Sequence, residues 1–317
     1  MHRAIALMFP PNALSGITVL DLTRLLPGPM ATQWLVDMGA RVIKIEDRGP
    51  GDYMRTLNPQ LFASVNRGKE FLSLDLKQEA DRETFRQLAS QADVLVEGFR
   101  PGVMDRLGFG WDALHALNPR LVYVAITGYG YNTPYRDMAG HDINYLSLAG
   151  ILDQFAPSGG PPVIPGIQIA DLAGGSMYAV MGLLAALNAR HRTGEGAFID
   201  ASMTHGSALL LPVARTNGEA MLTGRYACYN IYQAKDGRYV AVGALEAKFW
   251  ANLCTALERA DLIPDQFAED PRRQEVIAEL RTIFLQREAE AWFQFFRHID
   301  ACVTPVRTVT EAGDDWN

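Results

Sequence analysis

ITVLDLTRLLPGPMATQWLVDMGARVIKIE, residues 17–46, reads as strand, turn, helix and strand in immediate succession. ITVLDL (17–22) and RVIKIE (41–46) are short runs rich in β-formers. GPMATQWLVDMG (28–39) between them has helical character and ends on a glycine suited to cap it. A strand that returns to the sheet through a helix lies parallel to its predecessor, so this unit predicts a parallel sheet covered by helices.

The pattern continues outward. FLSLDL (71–76), VLVEGF (94–99) and LVYVAIT (121–127) are further short apolar runs, and QEADRETFRQLASQ (78–91) is a charged helix. A long helix is expected from about Ala170 to Arg192, followed by FIDAS as another strand. Ligands on such sheets sit at the carboxyl ends of the strands. Those ends carry Leu25–Pro29, Asp47–Gly51, Gly98–Gly102 and Thr127–Gly130. After about Leu222 the character changes to a hairpin arm, KDGRYVAVGAL (235–245), and three helices. Two domains are therefore expected: a large α/β domain with a parallel sheet over 1–222 and a smaller α+β domain over 223–317.

Composition narrows the function classes. The 317 residues are 48% apolar and 21% charged, with a net charge of −7. An acidic chain of this kind is not a general nucleic-acid binder. Cys228, Cys254 and Cys302 are far apart, so neither a disulfide framework nor a metal site is expected, and a reduced cytoplasmic setting fits. The N-terminal MHRAIALMFPPNALSG is broken by Pro10 and Pro11 and is not expected to be a signal peptide. The apolar segment 177–187 reads as a buried helix, and no membrane association is expected.

Nucleotide and hydrolase signatures are missing. No GxGxxG follows the first strand, and neither GxxxxGK[ST] nor GxSxG occurs, which removes the usual warrant for nicotinamide, flavin, P-loop and serine-hydrolase chemistry. Basic residues do recur near the strand ends: Arg48, Arg67, Lys69, Arg100 and Arg106. Singly, each is an ordinary surface charge. Together, interleaved with glycines, they suit a phosphorylated ligand. His141 stands before Asp142 in AGHDINY (139–145), read as a loop histidine beside a helix N-cap. Asp171 opens a helix in IADLAGGS, and Glu246 opens another in GALEAKFW, both positions that the helix dipole favours for an acid.

In order along the chain, several long motifs resemble those of the family III CoA-transferases, a family that includes racemases of 2-methyl-branched acyl-CoA. They are DLTRLLPGPMATQWLVDMGARVIKIE, GD (51–52), NRGKEFLSLDLK (66–77), EGFRPGVMDRLGFGWDAL (97–114), NPRLVYVAITGYG (118–130), AGHDINYLSLAGIL (139–152), IADLAGGSM (169–177), ARHRTGEGAFIDASM (189–203) and CVTPV (302–306). The resemblance implies an acyl-CoA substrate, with coenzyme A entering as part of it and no permanently bound cofactor. It places Arg48, Arg67, Lys69, Arg100 and Arg106 on the CoA moiety. It also implies that the large domain is Rossmann-like and that two chains form an interlocked homodimer. A C-terminal tail returning to the large domain is common in the family, and in a chain ending at Asn317 it is expected to be missing.

The resemblance splits by chemistry. In the racemases the aspartate matching Asp171 is a base, paired with a histidine in a GHDINY-like motif and assisted by a glutamate, here Glu246. In the transferases the same aspartate is a nucleophile that carries CoA between carboxylic acids, and the histidine has no required role. The GHDINY match favours the racemase. Ile167, where racemases usually carry asparagine, also occurs in transferase-like members.

Overall fold

The computed structural model describes residues 10, 12–156, 160–216 and 222–316, so most of the N-terminal segment and part of the 153–166 loop lie outside the described residues. The chain forms two compact units, Met1–Pro212 and Val213–Asn317.

Six strands build the sheet of the first unit: β1 (Thr18–Leu22), β2 (Arg41–Glu46), β3 (Glu70–Ser73), β4 (Val94–Glu97), β5 (Val122–Thr127) and β6 (Ala197–Ser202). All pairings are parallel, in the order β3-β2-β1-β4-β5-β6. This is the doubly wound order with its reversal between β1 and β4. Both faces are covered, and the strand residues alternate between two cores. Val19, Val42, Val94 and Val122 join one apolar cluster. Leu20, Ile43, Leu95 and Tyr123 join the other. Every residue of β5 is buried, as expected of a central strand, where each buried aliphatic side chain is worth about 1.5–3 kcal/mol.

Local sequence accounts for the boundaries. The first helix, Pro27–Asp37, starts at a proline in its first turn, where the missing N–H costs nothing. FLSLDL is only partly strand. β3 ends at Ser73, and the next turn is taken up when the Asp75 N–H donates to Asp81 Oδ2 at 2.7 Å, leading into the helix Glu79–Gln91. The long helix expected near 170–192 runs from Ala170 to Thr193, but Ala170–Met177 has π geometry and only Tyr178–Thr193 is α-helical. Gly174 and Gly206 let two backbones meet there. A Cβ on Gly174 would lie 2.5 Å from the Met203 carbonyl oxygen, and one on Gly206 would strike the Gly174 carbonyl. This continuous 24-residue stretch is long and apolar enough to cross a bilayer by length and composition alone, a test that the buried core helix of a soluble protein passes as well. Half of its apolar window is buried, with Ala179, Val180, Leu183 and Leu187 in the core beside the sheet.

The second unit has a three-stranded antiparallel sheet, β7 (Tyr229–Gln233), β8 (Tyr239–Gly243) and β9 (Val303–Pro305), in that order. The three expected helices are Ala247–Ala256, Arg272–Phe284 and Ala289–Phe296. Their core is aromatic. Tyr232 stacks on Phe284 at 4.9 Å, and Trp292 meets Phe284 edge-on at 5.1 Å.

Candidate active site

A cleft of about 680 Å³ opens in the first unit at the carboxyl ends of β1, β4 and β5. Its walls are the turn after β1 (Thr23–Gly28), the stretch Gly98–Pro101 after β4, Gly128–Tyr129 after β5, and Met138–His141. The position follows from topology, because connections leave β1 and β4 in opposite directions and open a crevice between them.

Beneath the β1 turn lies a buried polar network. Lys69 Nζ donates to Asp21 Oδ2 (3.0 Å), Thr32 Oγ1 (2.7 Å), Asn66 Oδ1 (2.9 Å) and the Pro29 carbonyl (2.9 Å). Lys44 Nζ donates to the Thr23 carbonyl at 2.8 Å and pairs with Asp52 at 3.2 Å. Asp52 Oδ1 in turn accepts the Leu25 N–H at 3.0 Å. Burial alone would raise the Asp21 carboxyl. The ammonium groups of Lys69 and Lys44, with the Thr23 and Thr32 hydroxyls, outweigh it and hold Asp21 well below the usual carboxylate range. Lys69, expected on a phosphate, is therefore committed to the interior, where it pins the turn that forms one wall of the cleft.

His141 is itself the N-cap of the helix Asp142–Ala149, with extended backbone at φ −128° and ψ 178°. The sequence reading had put it beside the cap. Its backbone N–H donates to Asn144 Oδ1 at 3.1 Å, and its carbonyl accepts the Asn144 N–H at 2.8 Å. The side chain lines the cleft. Tyr145 Oη donates to the Gly140 carbonyl at 2.5 Å and fixes the peptide that leads into His141. Gly140 has to be glycine, because a Cβ there would press on the rings of Tyr129 and Tyr145.

Asp171 lines the same cleft from the start of the π-helical segment. Its backbone N–H donates to Asp142 Oδ1 at 2.9 Å. Burial, and then the neighbouring Asp142 charge, push its carboxyl up to about 7. Ser176 Oγ lies 2.6 Å from the Pro27 carbonyl oxygen and 3.1 Å from that of Asp171, joining the β1 turn to the helix that carries Asp171.

The cations are distributed unevenly. Arg100 lines the cleft. Arg48 lines an adjoining cavity of about 400 Å³ at the ends of β1 and β2, and pairs with Asp81 at 2.6 Å. Arg67 donates to both oxygens of Asp37, at 2.7 and 2.8 Å, and lines neither cavity. Arg106 is exposed and reaches Gly102, where a Cβ would lie 3.6 Å from its Nη1 and 3.9 Å from Arg136 Nη2. Arg136 and Arg24 both line the cleft and were not among the residues expected from sequence. Arg24 also lines the adjoining cavity and stands over the Tyr53 and Phe99 rings at 5.5 and 5.9 Å. Its position directly after β1 was the available signal. Arg136, in the loop YNTPYRDMAG, gave none. Glu246 lies in the second unit, exposed, as N-cap of the helix Ala247–Ala256. Among the described residues no group of three or more His, Cys, Asp or Glu could hold a metal ion.

An imidazole and a carboxyl whose proton affinity lies near neutrality share one cleft ringed by guanidinium groups, at the switch point of a doubly wound sheet. These features suit an enzyme site with room for an anionic ligand. The chain matches the CoA-transferase family III model over residues 14–317 and belongs to that family. It is similar to the α-methylacyl-CoA racemase of Homo sapiens, at 38% identity over 313 residues covering 94% of this chain and 79% of the relative. It is also similar to the acetyl-CoA:oxalate CoA-transferase of Acetobacter aceti, at 36% identity over 326 residues covering 96% and 83%. A Mycobacterium tuberculosis crystal structure described as a hypothetical protein superposes with a TM-score of 0.84 at 32% identity, covering 96% of this chain and 88% of that one.

Proposed function

We propose that the protein is an acyl-CoA racemase that inverts the α-carbon of 2-methyl-branched acyl-CoA thioesters by a two-base 1,1-proton transfer. The observation that carries this reading is the pairing of His141 with Asp171 in one cleft. One residue removes the α-proton. The electron pair of the broken C–H bond passes to the thioester oxygen as an enolate, and the other residue delivers its own proton to the opposite face. The number of protons held by enzyme and substrate together is unchanged. Backbone N–H groups at the start of the helix Asp142–Ala149 suit the enolate oxygen.

The substrate's CoA phosphates are assigned to Arg24, Arg48, Arg100, Arg106 and Arg136, with Arg67 at the margin. The acyl end is assigned to the cleft. Glu246 is proposed to orient or charge His141. An interlocked homodimer is proposed as well, supported by apolar side chains left exposed on the first unit, among them Ile164, Ile167, Met177 and Met181. Free cysteines at 228, 254 and 302 support a cytoplasmic setting.

A second reading, a CoA-transferase in which Asp171 attacks the acyl-CoA carbonyl, is favoured by the similarity to the Acetobacter aceti enzyme. The test is α-deuterium incorporation into 2-methylacyl-CoA in deuterated water, with no acceptor acid. The wild type is expected to exchange, and His141→Ala to lose about 10²–10⁴-fold of the rate. Absence of exchange in the wild type, with CoA passing to an added carboxylic acid, would overturn the racemase in favour of the transferase.

A further inference from the structure

Asp142 has no assigned part in the chemistry above, yet its side chain bonds to the backbone of a different helix. It occupies the first turn of the helix Asp142–Ala149, immediately after His141. Its Oδ1 accepts the Asp171 backbone N–H at 2.9 Å, and the Ala170 N–H also bonds to the carboxylate. These are the first donors of a different helix, one that no side chain of its own caps. A carboxylate at such an end satisfies orphan N–H groups and interacts favourably with the helix dipole. One covalent step therefore separates His141 from a residue hydrogen-bonded to the backbone of Asp171.

We propose that Asp142 is the positioning residue of the site: it clamps the segment carrying Asp171 to the segment carrying His141, and presents a second carboxylate to the Asp171 carboxyl. The inference rests on the assignment of Asp171 as the working carboxyl. The clamp restrains the distance between the two groups across a junction between segments 29 positions apart in the chain. The charge adds to burial, the larger cause, in opposing ionisation of Asp171, and so helps hold its proton affinity in the range where a proton is both removed and returned near neutral pH.

His141 and the guanidinium groups of Arg24, Arg100 and Arg136 line the same cleft as Asp171, and the elements packed against its helix carry further titratable groups. Tyr145 shares the helix of Asp142. His205 lies on the helix Met203–Ala208, and Asp37 ends the helix Pro27–Asp37. Tyr123 and Asp200 lie on β5 and β6, where Asp200 accepts from Thr127 Oγ1 and the Tyr131 N–H. Tyr178, Arg190, His191 and Arg192 lie on the continuing helix, and Arg190 pairs with Asp93 at 2.8 Å. Of these groups, Asp142 is the one whose charge acts on Asp171.

Two variants separate the clamp from the charge. Asp142→Asn keeps an oxygen acceptor and removes the charge, whereas Asp142→Ala removes both. The readouts are the pH dependence of α-deuterium exchange and the titration of Asp171 by carboxyl ¹³C NMR, assigned with Asp171→Asn. For Asp142→Asn, the Asp171 titration and the acid limb of the rate profile are expected to move to lower pH by about half to one pH unit, with KM within about twofold of wild type. For Asp142→Ala, kcat is expected to fall by about 10–100-fold. A residue that merely stabilised the fold would leave the asparagine variant's titration unchanged. An Asp171 titration that superimposes on wild type in Asp142→Asn would overturn the proposal. A shifted titration in a protein that transfers CoA without exchanging the α-proton would uphold the role of Asp142 and reject the racemase.

Discussion

Asp171→Asn is expected to abolish both α-proton exchange and CoA transfer, while leaving the protein at least as stable as the wild type above pH 7. The activity half follows from chemistry. An amide neither accepts the α-proton nor attacks a thioester carbonyl, so losses of about 10⁴-fold or more are expected in either assay. The stability half follows from the site. The Asp171 carboxyl is raised from 3.8 to about 7 by burial and by the Asp142 charge. An acid whose folded value is raised keeps its proton in the native state while the unfolded chain has already released it. Native stability is therefore lost as pH rises from about 4 to about 7, and the deficit persists above that. Asparagine removes the deficit, worth on the order of 1–2 kcal/mol at pH 8 once the residual exposure of Asp171 is allowed for. Activity assays and urea melts at pH 8 on the same preparation check both halves. Retained turnover would remove Asp171 from the reaction, and a marked loss of stability would mean that its carboxylate supports the fold.

The largest expected loss of stability is at Lys69. Lys69→Met leaves Asp21 fully buried, without the ammonium 3.0 Å from its Oδ2, and deprives the Thr32, Asn66 and Pro29 oxygens of the donor they share. Breaking one side of a buried pair costs about 3–5 kcal/mol, because the remaining charge stays uncompensated. Removing both charges should cost less than the sum of the two single changes. Lys69→Met with Asp21→Asn is thus expected to recover part of the loss, with a coupling of about 1–3 kcal/mol in a double-mutant cycle measured by urea denaturation. Because Asp21 is held below its ordinary value, its contribution is present above about pH 4 and disappears only as pH falls through its folded value, so the wild type should resist mild acid better than Lys69→Met. Additive single effects would mean that Lys69 and Asp21 act independently.

Much of the fold was legible in the sequence because it is carried by short-range signals. Alternating apolar runs, Pro27 at a helix start and glycines at helix ends mark strands and helices within one or two residues of where they form. FLSLDL reads three positions too far, because the Asp75 N–H pairs with the Asp81 side chain instead of a strand. The π geometry at Ala170–Met177 had no local signature. It accompanies the packing of Gly174 against Met203 and Gly206, residues distant in sequence.

The site divides along the same line. His141, Asp171 and Arg100 stood out as residue types in suggestive company, and they do line one cleft. The sequence could not separate a lysine that binds a ligand from one that binds the interior, since Lys69 is defined by partners 37 and 48 residues away. It also gave no sign that Asp142 would reach Asp171, or that Arg24 and Arg136 would meet the same opening. By itself, the order of hydrophobic and turn-forming residues determined a parallel sheet covered by helices and the change of character near the second unit, and the long motifs carried the resemblance to the family. Only the tertiary structure decided which charges are buried and paired, which face the cleft and what proton affinity Asp171 has. Burial and hydrogen bonding are properties of a residue's neighbours in space, and the chain's local pattern does not specify them.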